Sequence, residues 1–146
     1  NLVRDAKLRH DKIAGQKEIK LILDIPATEY FVQADPDLLG QVFDNLISNA
    51  IKYAFPNTAV TIAIEPVKEK IQIQVKDEGQ GLTEDDLKNL FGKYQRLSAQ
   101  PTANESSVGL GLYIVKKMIT AMNGKVFATS PGKHKGSIFT VELQKI

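Results

Sequence analysis

The sequence predicts an α+β fold: a two-layer α/β sandwich in which one mixed, mostly antiparallel sheet carries roughly three main helices on one face. Three observations point there. Strand-like runs come in pairs between helical runs, in the order α-β-β-α-β-β-α-α-β-β, whereas a doubly wound parallel sheet would alternate strictly. The strands alternate apolar with polar residues, as a sheet covered on one face requires: Ile71, Ile73 and Val75 point one way, and Gln72, Gln74 and Lys76 the other. A chain of 146 residues, 42% of them hydrophobic, can bury one sizeable core without disulfide or metal staples.

Residues 2–15 have mixed charge and scattered apolar positions (Leu2, Val3, Leu8, Ile13) and fit a short helix ending near Gly15. Ile19 to Ile25 reads as a strand that Pro26 stops, and Tyr30 to Gln33 as a second short strand. Asp35 as N-cap and Pro36 at the first helical position start a helix that runs to about Ala54 and is closed by Pro56. Two alternating strands follow, the first with Val60, Ile62 and Ile64 on one face, joined by a hairpin-sized link from Pro66 to Lys70. Asp77-Glu78-Gly79-Gln80-Gly81-Leu82 is a glycine-rich turn, and Thr83 then caps a short helix to about Leu90, with Asp86 at its third position. No period holds from Gly92 to Val108, a length that marks a lid or a disordered segment. Gly109-Leu110-Gly111 opens a helix whose stripe is Leu112, Val115, Ile119 and Met122, ended by Asn123-Gly124. Lys125 to Ser130 and Ser137 to Leu143 are the last two strands.

Composition excludes several function classes. Nineteen Lys+Arg against seventeen Asp+Glu leave a net charge of +2, which makes no case for a nucleic-acid or membrane surface. The absence of Cys removes disulfides, thiolate nucleophiles and Cys-based zinc sites. His10 and His134 stand in separate segments without metal-type spacing and read as solvated surface residues; neither has the context of a serine triad. No apolar run approaches the ~18 residues of a membrane span, and there is no Walker A motif, protein-kinase loop or full G-x-G-x-x-G. A chain that starts at Asn1 rather than Met reads as an excised piece of something larger.

Three features can carry chemistry. At ~100° per residue, Asn45, Asn49 and Lys52 form one stripe of the helix after Asp35, opposite a core arc of Leu39, Val42, Phe43, Leu46, Ile47 and Ala50. A solvated face explains the stripe too, but Asn45, Ser48 and Asn49 are poor helix formers there, and a plain face more often uses Glu, Lys or Gln. Asn offers a neutral oxygen to a hard cation such as Mg²⁺, and a Lys one turn on can neutralise phosphate. The turn from Asp77 to Leu82 puts a carboxylate at a strand end beside glycines that let backbone approach a planar ligand; a plain turn is the alternative. Gly109 and Gly111 at a helix N-terminus suit an anion, or are loop punctuation.

In order and together, these residues resemble the catalytic and ATP-binding domain of sensor histidine kinases, within the gyrase, heat-shock-chaperone and histidine-kinase ATPase superfamily. Asn45-Leu46-Ile47-Ser48-Asn49-Ala50-Ile51-Lys52-Tyr53 is similar to that family's N box, and Asp77-Glu78-Gly79-Gln80-Gly81 to its first glycine box. Phe91, Tyr94 and Arg96 match its F-x-x-F-x-R box, with Tyr for the second Phe. Gly109-Leu110-Gly111-Leu112 matches the second glycine box, with Ser107 where its first glycine is often found, and Gly136-Ser137 stands in place of the usual Gly-Thr.

The resemblance implies a Bergerat-type ATP-binding fold and a set of roles. Asn49 would bind Mg²⁺, assisted by Asn45; Lys52 would contact phosphate, the three forming the catalytic set. Tyr53 would pack on adenine, and Asp77 would accept the adenine amino group. Gly79 and Gly81 would let the base lie against backbone, residues 92–108 would form the ATP lid, and Gly109 and Gly111 would cradle the triphosphate. Leu82, Phe91, Tyr94, Arg96, Leu110, Leu112 and Ser137 complete the implied ATP-binding set. Residues 1–15 would be a tail leading from a missing dimerisation and phosphoacceptor hairpin, with 16–146 the catalytic domain. His10-Asp11 lacks the nearby Pro of an acceptor site and lies only 35 residues before Asn45, too close for a hairpin to intervene. The implied activity is transfer of the ATP γ-phosphoryl group to a histidine on that hairpin, for relay to a response-regulator receiver domain. It further implies a cytoplasmic domain, monomeric as a fragment, from a homodimer that can be membrane-anchored. A nucleotide-gated interaction module, an ATPase or a serine kinase of the superfamily are the alternatives.

Overall fold

The computed structural model describes residues 2–92 and 111–146. The chain forms α1 (Leu2–Gln16), β1 (Lys20–Asp24), α2 (Pro36–Tyr53), β2 (Ala59–Val67), β3 (Lys70–Asp77), α3 (Glu84–Asn89), α4 (Gly111–Ala121), β4 (Lys125–Thr129) and β5 (Ser137–Gln144). The five strands make one sheet in the order β1-β2-β3-β5-β4. β1 runs parallel to β2, and every other pair is antiparallel. This is the mixed, mostly antiparallel sheet that the paired strands predict.

Side-chain alternation decides which face is covered. Leu21, Val60, Ile62, Ile71, Ile73, Val75, Phe139, Val141 and Leu143 are buried, while Lys20, Lys76 and Lys125 on intervening positions are exposed. On the buried side α2 packs against both α1 and α4. Its expected arc, Leu39 to Ala50, is buried together with Ile51. Asp35 caps it as its sequence predicts, its side chain accepting the backbone N–H groups of Asp37 and Leu38. Thr83 and Asp86 form a reciprocal capping box at the start of α3. Among the described residues, no helix is long and apolar enough to cross a membrane.

Four expectations are refined. Residues 30–33 are not a strand: only Val32 bridges to Lys145, beside hydrogen bonds from Gln33 N–H to Gln144 O and from Ile146 N–H to Phe31 O. The segment brushes the end of β5 and is then turned away by the Asp35-Pro36 helix start. The β2–β3 link is shorter than Pro66 to Lys70, because Val67 pairs with Lys70 and only Lys68 and Glu69 turn, with Lys68 at φ 58°. Pro66 is tolerated in β2 because β1 pairing ends at Ala63. The first helix, expected to end near Gly15, runs from Leu2 to Gln16, and its Val3, Ala6 and Ala14 lie in the same core as the sheet. Finally, His10 is not a solvated surface residue: its side chain is 13% exposed and bonds Asp44 of α2.

Candidate functional site

The site is assembled where β3 ends. Asp77 is the last residue of β3 and pairs with Ser137, the first of β5. It is buried, and the Ser137 hydroxyl donates to its Oδ2 at 2.7 Å. Its other oxygen, Oδ1, is buried without a hydrogen-bond partner among the described residues. Burial in low dielectric raises the Asp77 pKa above the ordinary 3.8, while the Ser137 hydroxyl and the nearby Gly79 and Ser137 backbone pull it down less strongly. A buried carboxylate that keeps an open acceptor is costly for folding alone. It fits a ligand that brings its own N–H donor, as the adenine amino group does.

Glycine brings this carboxylate next to α2. Ala54, the C-cap of α2, bridges to Gly79, and Gln80 N–H donates to Tyr53 O at 3.3 Å. A Cβ on Gly79 would lie 2.2 Å from Tyr53 O, so a side chain is excluded by backbone. Gly81 has φ +71° and faces Gly132 O, a second close approach. The turn is held from the other side by Ser130, whose Oγ accepts from Leu82 N–H and donates to Gly136 O at 2.7 Å. Gly136 N–H donates to Gly79 O, and His134 N–H to Gln80 O. The first glycine box is thus clasped between the end of α2 and the β4–β5 turn.

The α2 stripe has the predicted phase. Asn45, Asn49, Lys52 and Tyr53 are each half-buried, neither in the core nor fully in solvent. Two neighbouring carboxylates point elsewhere. Asp44 turns to α1, where Arg9 Nε and Nη2 and His10 Nε2 meet its Oδ1 at 2.9–3.0 Å. Glu78 Oε2 accepts from Ala59 N–H of β2 at 2.9 Å. No group of three or more His, Asp or Glu able to hold a metal exists among the described residues. Phe91 is half-buried, edge-on to Phe139 at 6.4 Å, with the Lys116 ammonium 5.6 Å from its ring. Leu82 is buried, Leu112 packs on the core, and Gly111 begins α4 in the open. Tyr94, Arg96, Gly109, Leu110 and most of the 92–108 stretch lie outside the described residues.

Residues 34–145 match the family described as histidine kinase-, DNA gyrase B-, and HSP90-like ATPase. The chain belongs to this ATPase family. It is 35% identical to the sensor histidine kinase WalK of Bacillus subtilis over 146 residues, which is 97% of this chain and 24% of that protein. This domain therefore spans about a quarter of the curated kinase it matches. The fold superposes on a mycobacterial sensor histidine kinase, MprB, with a TM-score of 0.88 at 20% identity, covering 99% of this chain and 93% of that one. It also superposes on full-length ShkA in complex with AMPPNP, with a TM-score of 0.84 at 23% identity, covering 99% of this chain and 29% of that one.

The sequence places Ser137 as a variant box residue in the implied ATP-binding set, without its bond to a carboxylate 60 positions away, which strand register creates. Ser130 was missed, although a Ser before Pro131-Gly132 is a turn signal. Lys17 was missed too: its ammonium reaches the last turn of α2, and no local pattern announces that.

Proposed function

We propose that this domain binds Mg²⁺-ATP and donates the γ-phosphoryl group to a histidine on a separate helical hairpin of the same kinase, which passes it to a receiver-domain aspartate. The observation that carries the reading is the open Oδ1 of buried Asp77, set against the end of the helix bearing Asn45, Asn49 and Lys52. Asp77 would accept the adenine amino group, the Gly79 and Gly81 backbone would face the base, and Tyr53 would pack on it. Lys52 would neutralise phosphate. Mg²⁺, held by Asn49 with help from Asn45, would supply charge neutralisation across the phosphates. Residues 1–15 would lead in from the hairpin. Transfer breaks the bond between the γ-phosphorus and its bridging oxygen, releasing ADP, and forms an N–P bond at the acceptor imidazole. The domain's contribution is positioning and electrostatics.

The kinase reading is favoured over an ATPase by the two tethered carboxylates. Hydrolysis needs a base beside the γ-phosphate. Asn45 has no useful basicity, Asp44 is held by Arg9 and His10, and Glu78 by Ala59. Phosphate release should therefore run far below the ~10 s⁻¹ median of enzymes, and Asn45→Glu should raise it. Wild-type release near that median would reject the kinase in favour of an ATPase.

The direct test supplies γ-labelled ATP and an isolated hairpin domain. Label should appear on the hairpin and not on this chain. His10, half-buried and engaged with Asp44, should stay unlabelled; acid-labile label lost in His10→Ala would overturn the proposal. Nucleotide binding with an unlabelled hairpin would favour a nucleotide-gated interaction module.

A further inference from the structure

Lys17 follows α1 in the turn toward β1 and has no place in the site described above. Its Nζ donates to Ile51 O and to Lys52 O, at 2.8 Å each. These carbonyls lie in the last turn of α2, where a helix has no amide partners of its own and its dipole leaves a negative end. On either side, Ala50 O takes Ala54 N–H and Tyr53 O takes Gln80 N–H. Four consecutive carbonyls at the end of the nucleotide helix are thus fixed by donors, and Lys17 alone supplies two. An ordinary surface lysine would leave its ammonium in water; this one is half-buried and spans 34 and 35 positions to reach backbone.

We infer that Lys17 is a positioning residue for Lys52, the residue that would contact phosphate in the proposed site. It pins the backbone from which Lys52 projects and offsets the negative helix end that a nucleotide polyanion would otherwise meet. The inference rests on the ATP reading and adds to it a residue outside every motif. Both effects need a cation that donates hydrogen bonds, so Arg can replace Lys17 and Met, of similar length, cannot.

The test titrates wild type, Lys17→Met, Lys17→Gln and Lys17→Arg with a Mg²⁺-loaded non-hydrolysable ATP analogue and, separately, with adenosine. Unfolding midpoints are measured without ligand. Lys17→Met should lose ~10-fold or more for the analogue and stay within about twofold for adenosine. Lys17→Arg should bind both within about threefold of wild type, and Lys17→Gln, which keeps donors without charge, should fall between. Should Lys17→Met fail to fold, the Arg and Gln arms decide. Three results would overturn the inference: no loss for the analogue in Met and Gln, equal losses for both ligands, or Arg no better than Gln. Equal losses would assign Lys17 to the fold alone. If wild type binds neither ligand, the ATP reading falls and takes this one with it. If wild type binds and Asp77→Asn does not, while Lys17→Met matches wild type, this inference alone falls.

Discussion

Gly79→Ala should abolish measurable nucleotide binding and destabilise the domain by about 3 kcal/mol, the upper end of ordinary overpacking. The added Cβ would sit 2.2 Å from Tyr53 O and 2.9 Å from Ala54 Cα. Both obstacles are backbone, so no rotamer change relieves them. The Ala54–Gly79 bridge must open, moving Asp77 away from the helix that carries Asn49 and Lys52. Gly40→Ala is the matched control. Gly40 lies inside α2 and a Cβ there meets nothing within 4 Å, so Ala should stabilise by roughly 0.5–1 kcal/mol and leave binding intact. Thermal unfolding and titration with an ATP analogue on both variants check this. Gly79→Ala binding nucleotide like wild type would mean that contact between α2 and the Asp77 turn does not build the site.

What the sequence made legible is what local rules decide. The Asp35-Pro36 start, the buried arc of α2, the Thr83 capping box and the alternation in β3 follow from neighbours within a few residues, and each stands as expected. Residues 30–33 have strand-like composition, but pairing depends on a partner 113 positions on, and only Val32 finds it. His10 departs from the solvated position expected of it because helical phase, not residue type, sets its surroundings. Val3, Ala6, His10 and Ala14 recur at helical spacing, which puts the imidazole on the packed face of α1. The candidate site divides the same way. The α2 stripe is visible from periodicity, whereas the Asp77–Ser137 pair and the Lys17 contacts come from long-range register and packing. Motif resemblance supplied roles for Gly79 and Gly81; the reason for glycine at each, a backbone neighbour where Cβ would be, is tertiary.

Asp77→Asn should separate function from stability. Burial is the main influence on this carboxyl and holds its folded-state pKa above the ordinary 3.8. Between those two values the folded chain binds more protons than the unfolded one, so stability falls with rising pH across that window. The contribution of Asp77 is whole below the unfolded value and lost above the folded one. In its ionised form the carboxylate, with Oδ1 buried and without a partner among the described residues, is a cost to the unliganded fold. The amide removes that charge and keeps an oxygen for the Ser137 hydroxyl, so the variant should unfold no earlier than wild type at pH 7, and later if the penalty is fully relieved. Binding should respond in the opposite direction. With the amide oxygen on Ser137, its NH₂ takes the place of Oδ1 and meets the adenine amino group donor to donor. Loss of a charge-assisted hydrogen bond and the leftover unpaired donor should together cost about 3 kcal/mol, roughly 100-fold in affinity. Wild-type affinity should also fall on acidification toward the raised pKa, a dependence absent from the variant. Unfolding and titration across pH, with and without nucleotide, read both effects. An Asp77→Asn domain that binds as tightly as wild type would remove Asp77 from the site, whereas one that is markedly less stable at pH 7 would show that the ionised carboxylate supports the fold.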